Sequence, residues 1–212
     1  MSVASATAPD RALLKLRRDD LYPTHPAAVR ALLTVEELPR PPERIWEPFA
    51  GRGAIVDVLR AAGHDVIASD LVNYGIPGQH ARWDFLMEQR APPGVTMILS
   101  NPPYKIAAAV VQHALALCPT ALFLLRTLFL ESQDRCELLR RHCTRVHVFC
   151  DRIPDMHRDG WNGRRADPRM SLAWFAFERN VSSGFARVDW IFARSPDERA
   201  IHRKSLRRGK RR

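Results

Sequence analysis

The chain has 212 residues, 46% of them apolar, enough to bury one sizeable core, so a single folded unit is the expectation. No apolar run approaches the roughly 18 residues of a membrane span, and the opening M-S-V-A-S-A-T-A-P-D has no charged region followed by an apolar one, which points to a cytoplasmic protein without a membrane partner. The formal charge of +10 is uneven: residues 199–212 hold eight Lys or Arg and no acid, leaving about +2 for the remainder.

Residues 1–19 read as a flexible N-terminus, 20–193 as one domain and 194–212 as a basic tail. L-Y-P-T-H-P enforces an extended entry, and A-A-V-R-A-L-L-T-V-E-E-L follows with helical periodicity until P-R-P-P-E stops it. R-I-W-E-P-F is a short strand that runs through A-G-R-G into the helix A-I-V-D-V-L-R-A-A-G, with Gly63 placed to terminate it. H-D-V-I-A-S-D is a strand ending at Asp70, and residues 71–82 read as a loop. V-T-M-I-L-S is a third strand, I-A-A-A-V-V-Q-H-A-L-A-L a helix and T-A-L-F-L-L-R a fourth strand.

A helix near S-Q-D-R-C-E-L-L-R-R, a strand R-V-H-V-F and a polar loop from about 150 to 169 come next, before the strands S-L-A-W-F-A-F-E and R-V-D-W-I-F. Strands alternate with helices and their apolar runs do not alternate with polar residues. The predicted fold is therefore α/β, a doubly wound, mostly parallel sheet covered on both faces, closed by a C-terminal antiparallel hairpin of the last two strands. Cys118, Cys136, Cys143 and Cys150 form no C-x-x-C pair and no zinc spacing, so no metal is expected and the thiols read as reduced and buried.

Ligands of such sheets bind at the carboxyl ends of strands. In E-P-F-A-G-R-G, Gly51 and Gly53 permit a tight turn close to a ligand, although many strand-to-helix turns need glycine for backbone reasons alone. Asp70 can accept hydrogen bonds from ribose hydroxyls, or merely cap a turn. Together they favour an adenosine-containing cofactor, and the missing third glycine leans away from a dinucleotide. S-N-P-P-Y is more telling: Pro102 and Pro103 have no N–H to donate, so the turn presents acceptors. The side-chain oxygen of Asn101 and the carbonyl of Pro102 can both accept from one planar –NH₂ group, with Tyr104 stacked on the ring that bears it.

E-P-F-A-G-R-G followed by N-P-P-Y resembles the class I S-adenosylmethionine-dependent methyltransferases that modify exocyclic amines, in particular the adenine-specific DNA methyltransferases. With L-Y-P-T-H-P, A-S-D-L, D-F-L, F-L-E-S-Q-x-R, R-I-P-D-M-H-R-D-G-W-N-G and A-W-F-A-F-E-R, the pattern is similar to their small, phage- or prophage-associated members from about residue 20 to 192. The resemblance implies a Rossmann-like catalytic domain over 20–193 and S-adenosylmethionine as cofactor. It implies that Glu47, Phe49, Ala50, Gly51 and Gly53 hold the methionine part, Asp70 and Leu71 the ribose and adenine, and Asp84 with Phe85 the adenine again. Tyr22 and Thr24 would close over the methionine carboxylate. Asn101, Pro102, Pro103 and Tyr104 would be the catalytic set, methylating N(6) of adenine in DNA, with the base flipped out of the duplex.

The loop around 151–170 holds five arginines and four aspartates, and Arg158, Trp161, Arg164 and Arg165 are expected to touch nucleic acid. No recognition domain is inserted between the cofactor turn and N-P-P-Y, so recognition is short, or supplied by a partner or second copy; the expected state is monomer or homodimer. RNA adenine methylation fits nearly as well. Glutamine methylation in proteins, or nucleic-acid binding without catalysis, are the remaining readings.

Overall fold

The computed structural model describes residues 23–151, 153, 171–179, 181 and 184–200. The expected N-terminal segment and residues 201–212 of the basic tail lie outside the described residues. Helix α1 (Pro26–Leu32) leads into β1 (Arg44–Glu47), α2 (Ala54–Ala61), β2 (Asp65–Asp70), the two-residue β3 (His80–Ala81), β4 (Val95–Ser100) and α3 (Ala107–Leu117). Strand β5 (Thr120–Arg126), α4 (Cys136–His142), β6 (Cys143–Phe149), β7 (Leu172–Glu178) and β8 (Arg187–Ile191) complete it. The strands form one eight-stranded sheet in the order β3-β2-β1-β4-β5-β7-β6-β8. Every pairing is parallel except those of β7, which runs antiparallel to β5 and β6.

Both faces are covered. On one, Ala28, Val29 and Leu32 of α1 and Val56 and Leu59 of α2 pack on Ile45, Leu99, Leu122 and Trp174. On the other, Val110, Val111 and Ala114 of α3 and Leu138 of α4 pack on Trp46, Ile98, Phe123 and Phe175. Successive residues of β4 and β5 thus enter opposite cores, which is why their sequences are apolar throughout.

The doubly wound α/β expectation holds, with three corrections. The last two strands do not form a hairpin: β7 is buried on both faces from Leu172 to Phe177 and lies inside the sheet, whereas β8, in which only Ile191 is buried, pairs in parallel with β6 at the edge. Helix α1 stops at Leu32, short of the periodic run. The Thr34 hydroxyl donates to the Ala31 carbonyl (2.7 Å), and Glu36 is drawn aside to Arg145 and His147, both at 2.6 Å. Of the cysteines, Cys118 and Cys143 are buried, with burial pushing the Cys143 thiol up to about 12, but Cys136 and Cys150 are exposed. Among the described residues there is no helix long and apolar enough to cross a membrane, and no cluster of three metal-ligating side chains.

Candidate active site

Strand β1 ends on Glu47, and the chain turns through Phe49, Ala50 and Gly51 into α2. Gly51 and Gly53 adopt φ of 52° and 87°, the left-handed region in which a side chain is strained. A β-carbon on Gly53 would also meet Ile76 at 3.4 Å and Asp57 at 3.6 Å. The turn is braced from β2: the Ala50 N–H donates to the Ser69 carbonyl (3.0 Å) and the Gly51 N–H to Asp70 Oδ2 (2.9 Å). No side chain caps α2 at Gly53.

Glu47 is wholly buried. The Ser100 hydroxyl, from the end of β4, donates to Glu47 Oε1 at 2.5 Å and the Phe49 N–H donates to the same oxygen at 3.0 Å. Oε2 is buried without a hydrogen-bond partner among the described residues. Burial pushes this carboxyl up to about 8 against the pull of the Ser100 and Phe49 hydrogen bonds, and the charge of Asp70 adds to the rise. Asp70 Oδ1 accepts from the Val72 N–H at 3.0 Å, so this aspartate grips the glycine turn with one oxygen and its own loop with the other.

Two small clefts meet at Phe49 and Asn101. One is walled by Asp70, Leu71, Tyr74, Trp83 and Phe85, the other by Thr24, Ala50, Gly51 and Ile55. Tyr104, three residues after Asn101 and past the buried Pro102, faces a third cleft with Lys105, Leu125, Arg126 and Leu128. The N-P-P-Y turn is therefore a partition, with Asn101 on one side and Tyr104 on the other. The Arg126 guanidinium lies 5.9 Å from the centroid of the Tyr104 ring. On the inner side Asn101 Nδ2 donates to Thr24 Oγ1 at 3.1 Å, which turns the amide oxygen away from Thr24.

Of the residues expected from sequence, Thr24, Phe49, Ala50, Gly51, Asp70, Leu71, Phe85, Asn101 and Pro103 line the two inner clefts. Glu47, Gly53 and Asp84 stand behind them. Asp84 caps its own turn by accepting from the Leu86 N–H (3.2 Å). Phe85 packs edge-on against Trp46 (5.2 Å) and Phe49 (5.5 Å), so it is a core ring as well as a cleft wall. Tyr22, Arg158, Trp161, Arg164 and Arg165 lie outside the described residues. Sequence reasoning missed Ser100, whose signal is a polar residue closing an apolar strand, and Tyr74 and Trp83, aromatics within and just after the glycine-containing loop.

The segment bearing Thr24 is fastened to β6 and β7. The Trp174 indole donates to the Ala28 carbonyl (2.9 Å), and Glu36 joins Arg145 and His147, with Arg145 also reaching Glu178 at 2.7 Å. Burial raises the Glu36 carboxyl, but the hydrogen bonds from His147 and Arg145 and their charges win, and it falls to about 2.

No protein-family model and no curated protein sequence matches the chain. Solved structures do. A Thermoplasma acidophilum protein superposes with a TM-score of 0.50 at 14% identity, over 81% of this chain and 97% of its own. A type I restriction-modification methyltransferase subunit of Streptococcus thermophilus gives 0.51 at 12% identity, over 84% of this chain and 49% of its own, so the chain spans about half of that protein. A proposed class I S-adenosylmethionine-dependent methyltransferase of Listeria monocytogenes gives 0.50 at 10% identity, over 85% and 67%. At such identities the likeness concerns the fold, and the fold is the Rossmann-like one of class I methyltransferases.

Proposed function

We propose that the protein transfers a methyl group from S-adenosylmethionine to the N(6) amine of adenine in DNA. The observation that carries this reading is the N-P-P-Y partition: Asn101 opens on the clefts that continue the glycine turn, and Tyr104 opens on a separate outer cleft. An amine presented from the outer side at that turn meets a cofactor held on the inner side.

The inner residues suit the cofactor. Glu47 Oε2, buried without a hydrogen-bond partner among the described residues, would accept from an ammonium group, Asp70 would offer acceptors to ribose hydroxyls, and Leu71, Trp83 and Phe85 suit an adenine ring. Bound there, the cofactor supplies an electrophilic sulfonium methyl. Asn101 Oδ1 and the Pro102 carbonyl would draw on the hydrogens of the acceptor amine and aim its lone pair, while Tyr104 stacks on the base. The Thr24 hydroxyl, which accepts from Asn101 Nδ2, would orient the amide for this task. This is positioning and electrostatics, and no protein nucleophile is required. The chain would act as a monomer or homodimer, with Arg158, Trp161, Arg164 and Arg165 meeting the nucleic acid.

The test is transfer of labelled methyl to unmethylated DNA, ribosomal RNA and a protein presenting exposed glutamines, followed by nucleoside and amino-acid analysis. N6-methyladenine in DNA is the expected product. Methyl on cytosine, or on protein alone, refutes the reading, and methyl on RNA alone moves the acceptor. Asn101→Ala should retain cofactor binding and lose on the order of 100-fold or more in turnover.

A further inference from the structure

Because β6 runs parallel to β5 and β8 parallel to β6, the carboxyl ends of β4, β5, β6 and β8 share one rim of the sheet. That rim carries Asn101 and Tyr104 after β4, Arg126 at the end of β5, and Trp190 to Phe192 at the end of β8. Along β8 the two-residue period sets Val188, Trp190 and Phe192 on one face, and they are 44%, 67% and 44% exposed while Ile191 between them is buried. An indole left this open on an edge strand has no role in the core. The Arg199 guanidinium lies over the Phe192 ring at 3.8 Å, and residues 200–212 add seven Lys or Arg and no acid.

The nearby acids, Asp151, Asp189, Asp197 and Glu198, are outnumbered by Arg187, Arg194, Arg199 and the seven Lys or Arg that follow. Asp189 pairs with Arg187 at 2.6 Å, Asp151 accepts from the N–H groups of Ala193 (2.6 Å) and Arg194 (2.9 Å), and Glu198 with Ser195 forms a reciprocal cap of the turn that follows.

We infer that the carboxyl end of β8 is a second nucleic-acid contact, in which Trp190 and Phe192 stack on bases while Arg199 holds the phosphates of the strand leading away from the target nucleotide. The inference rests on the acceptor being a nucleic acid and says where that strand runs. Exposed aromatics interleaved with cations form the platform single strands use, and stacking tolerates any base. From β4 to β8 there are four strand steps, about 19 Å at ~4.8 Å each. At ~3.4 Å per nucleotide, that places the contact about five or six nucleotides from the base at Tyr104. A second copy paired along the β8 edge would bring two basic tails together, so charge favours phosphate over self-association.

The test uses the full chain and a labelled 30-nucleotide DNA containing adenines, single-stranded and duplex, with fluorescence anisotropy across a salt series. Trp190→Ala/Phe192→Ala should bind the long strand more weakly, by about thirtyfold or more, with its circular dichroism and S-adenosylmethionine affinity unchanged. Trimming the flanks below about six nucleotides should weaken the wild type and not the variant. Equal affinity of wild type and variant overturns the inference and leaves the methylation reading intact. DNA that is bound through this stripe but never methylated does the reverse, and a wild type that binds neither DNA nor RNA removes both. A wild-type dimer in light scattering that dissociates in the variant, with nucleic-acid affinity unchanged, assigns the stripe to self-association instead.

Discussion

A buried glutamate that keeps its proton near neutrality should make cofactor binding depend on pH. The Glu47 carboxyl is pushed up to about 8 by burial, yet the oxygen proposed to receive the cofactor ammonium must be ionised to do so. Below pH 8 binding therefore expels a proton. The fraction of ionised Glu47 is about one in eleven at pH 7 and one in a hundred at pH 6, so affinity should fall about tenfold and a hundredfold from its plateau. The α-amino group of the ligand, with an ordinary value of roughly 7.7–8.0, stays charged over pH 5.5–7.0, which isolates the protein's contribution. Isothermal titration calorimetry in buffers of different ionisation enthalpy measures both quantities: log Kd should fall by about one per pH unit, with one proton released per site. Glu47→Gln should abolish the slope. An unchanged slope in that variant, or a flat wild-type profile, refutes the assignment of Glu47 to the ammonium.

The same group sets a stability trend of defined sign. An unfolded chain ionises Glu47 at its ordinary value of 4.5, whereas the folded chain holds the proton until about 8. Between these values the folded state binds the additional proton, so its stability declines as pH rises, at up to about 1.4 kcal/mol per unit. Glu47→Gln, which cannot ionise, should be more stable than wild type at pH 8 in urea unfolding and lose that advantage at pH 5.

Glu36 behaves oppositely: its carboxyl lies at about 2, so its stabilisation is complete above the ordinary 4.5 and lost as pH falls through about 2. It is worth about 3 kcal/mol, and Glu36→Gln should flatten the acid limb of a denaturation profile followed by circular dichroism. Thr24→Ala should lower turnover about fivefold, the worth of one hydrogen bond of about 1 kcal/mol, with Thr24→Ser restoring it; a change confined to cofactor KM would contradict a role in orienting Asn101. Tyr104→Ala should raise the acceptor KM on the order of tenfold and leave cofactor Kd unchanged, since Tyr104 lines the outer cleft and neither inner one. Gly53→Ala, forced to φ of 87°, should cost about 1–2 kcal/mol, read as a Tm lowered by several degrees.

What could be read directly from the chain were features whose physics is local. Two consecutive prolines remove donors wherever they lie, glycines at 51 and 53 announce left-handed turns, and continuous apolar runs announce strands covered on both sides. The last two strands show where local reading fails. L-A-W-F-A-F, apolar on both faces, needs neighbours on each side, which a terminal hairpin cannot supply, and so it inserts between β5 and β6. The contacts that assemble the site are equally long-range: Ser100 reaches Glu47 across 53 positions and Asn101 reaches Thr24 across 77. No periodicity joins such pairs. Each long-range bond falls on a different half of the proposed chemistry, Ser100–Glu47 behind the glycine turn and Thr24–Asn101 at the partition. Breaking the first should therefore act on cofactor affinity and its pH dependence, and breaking the second on turnover.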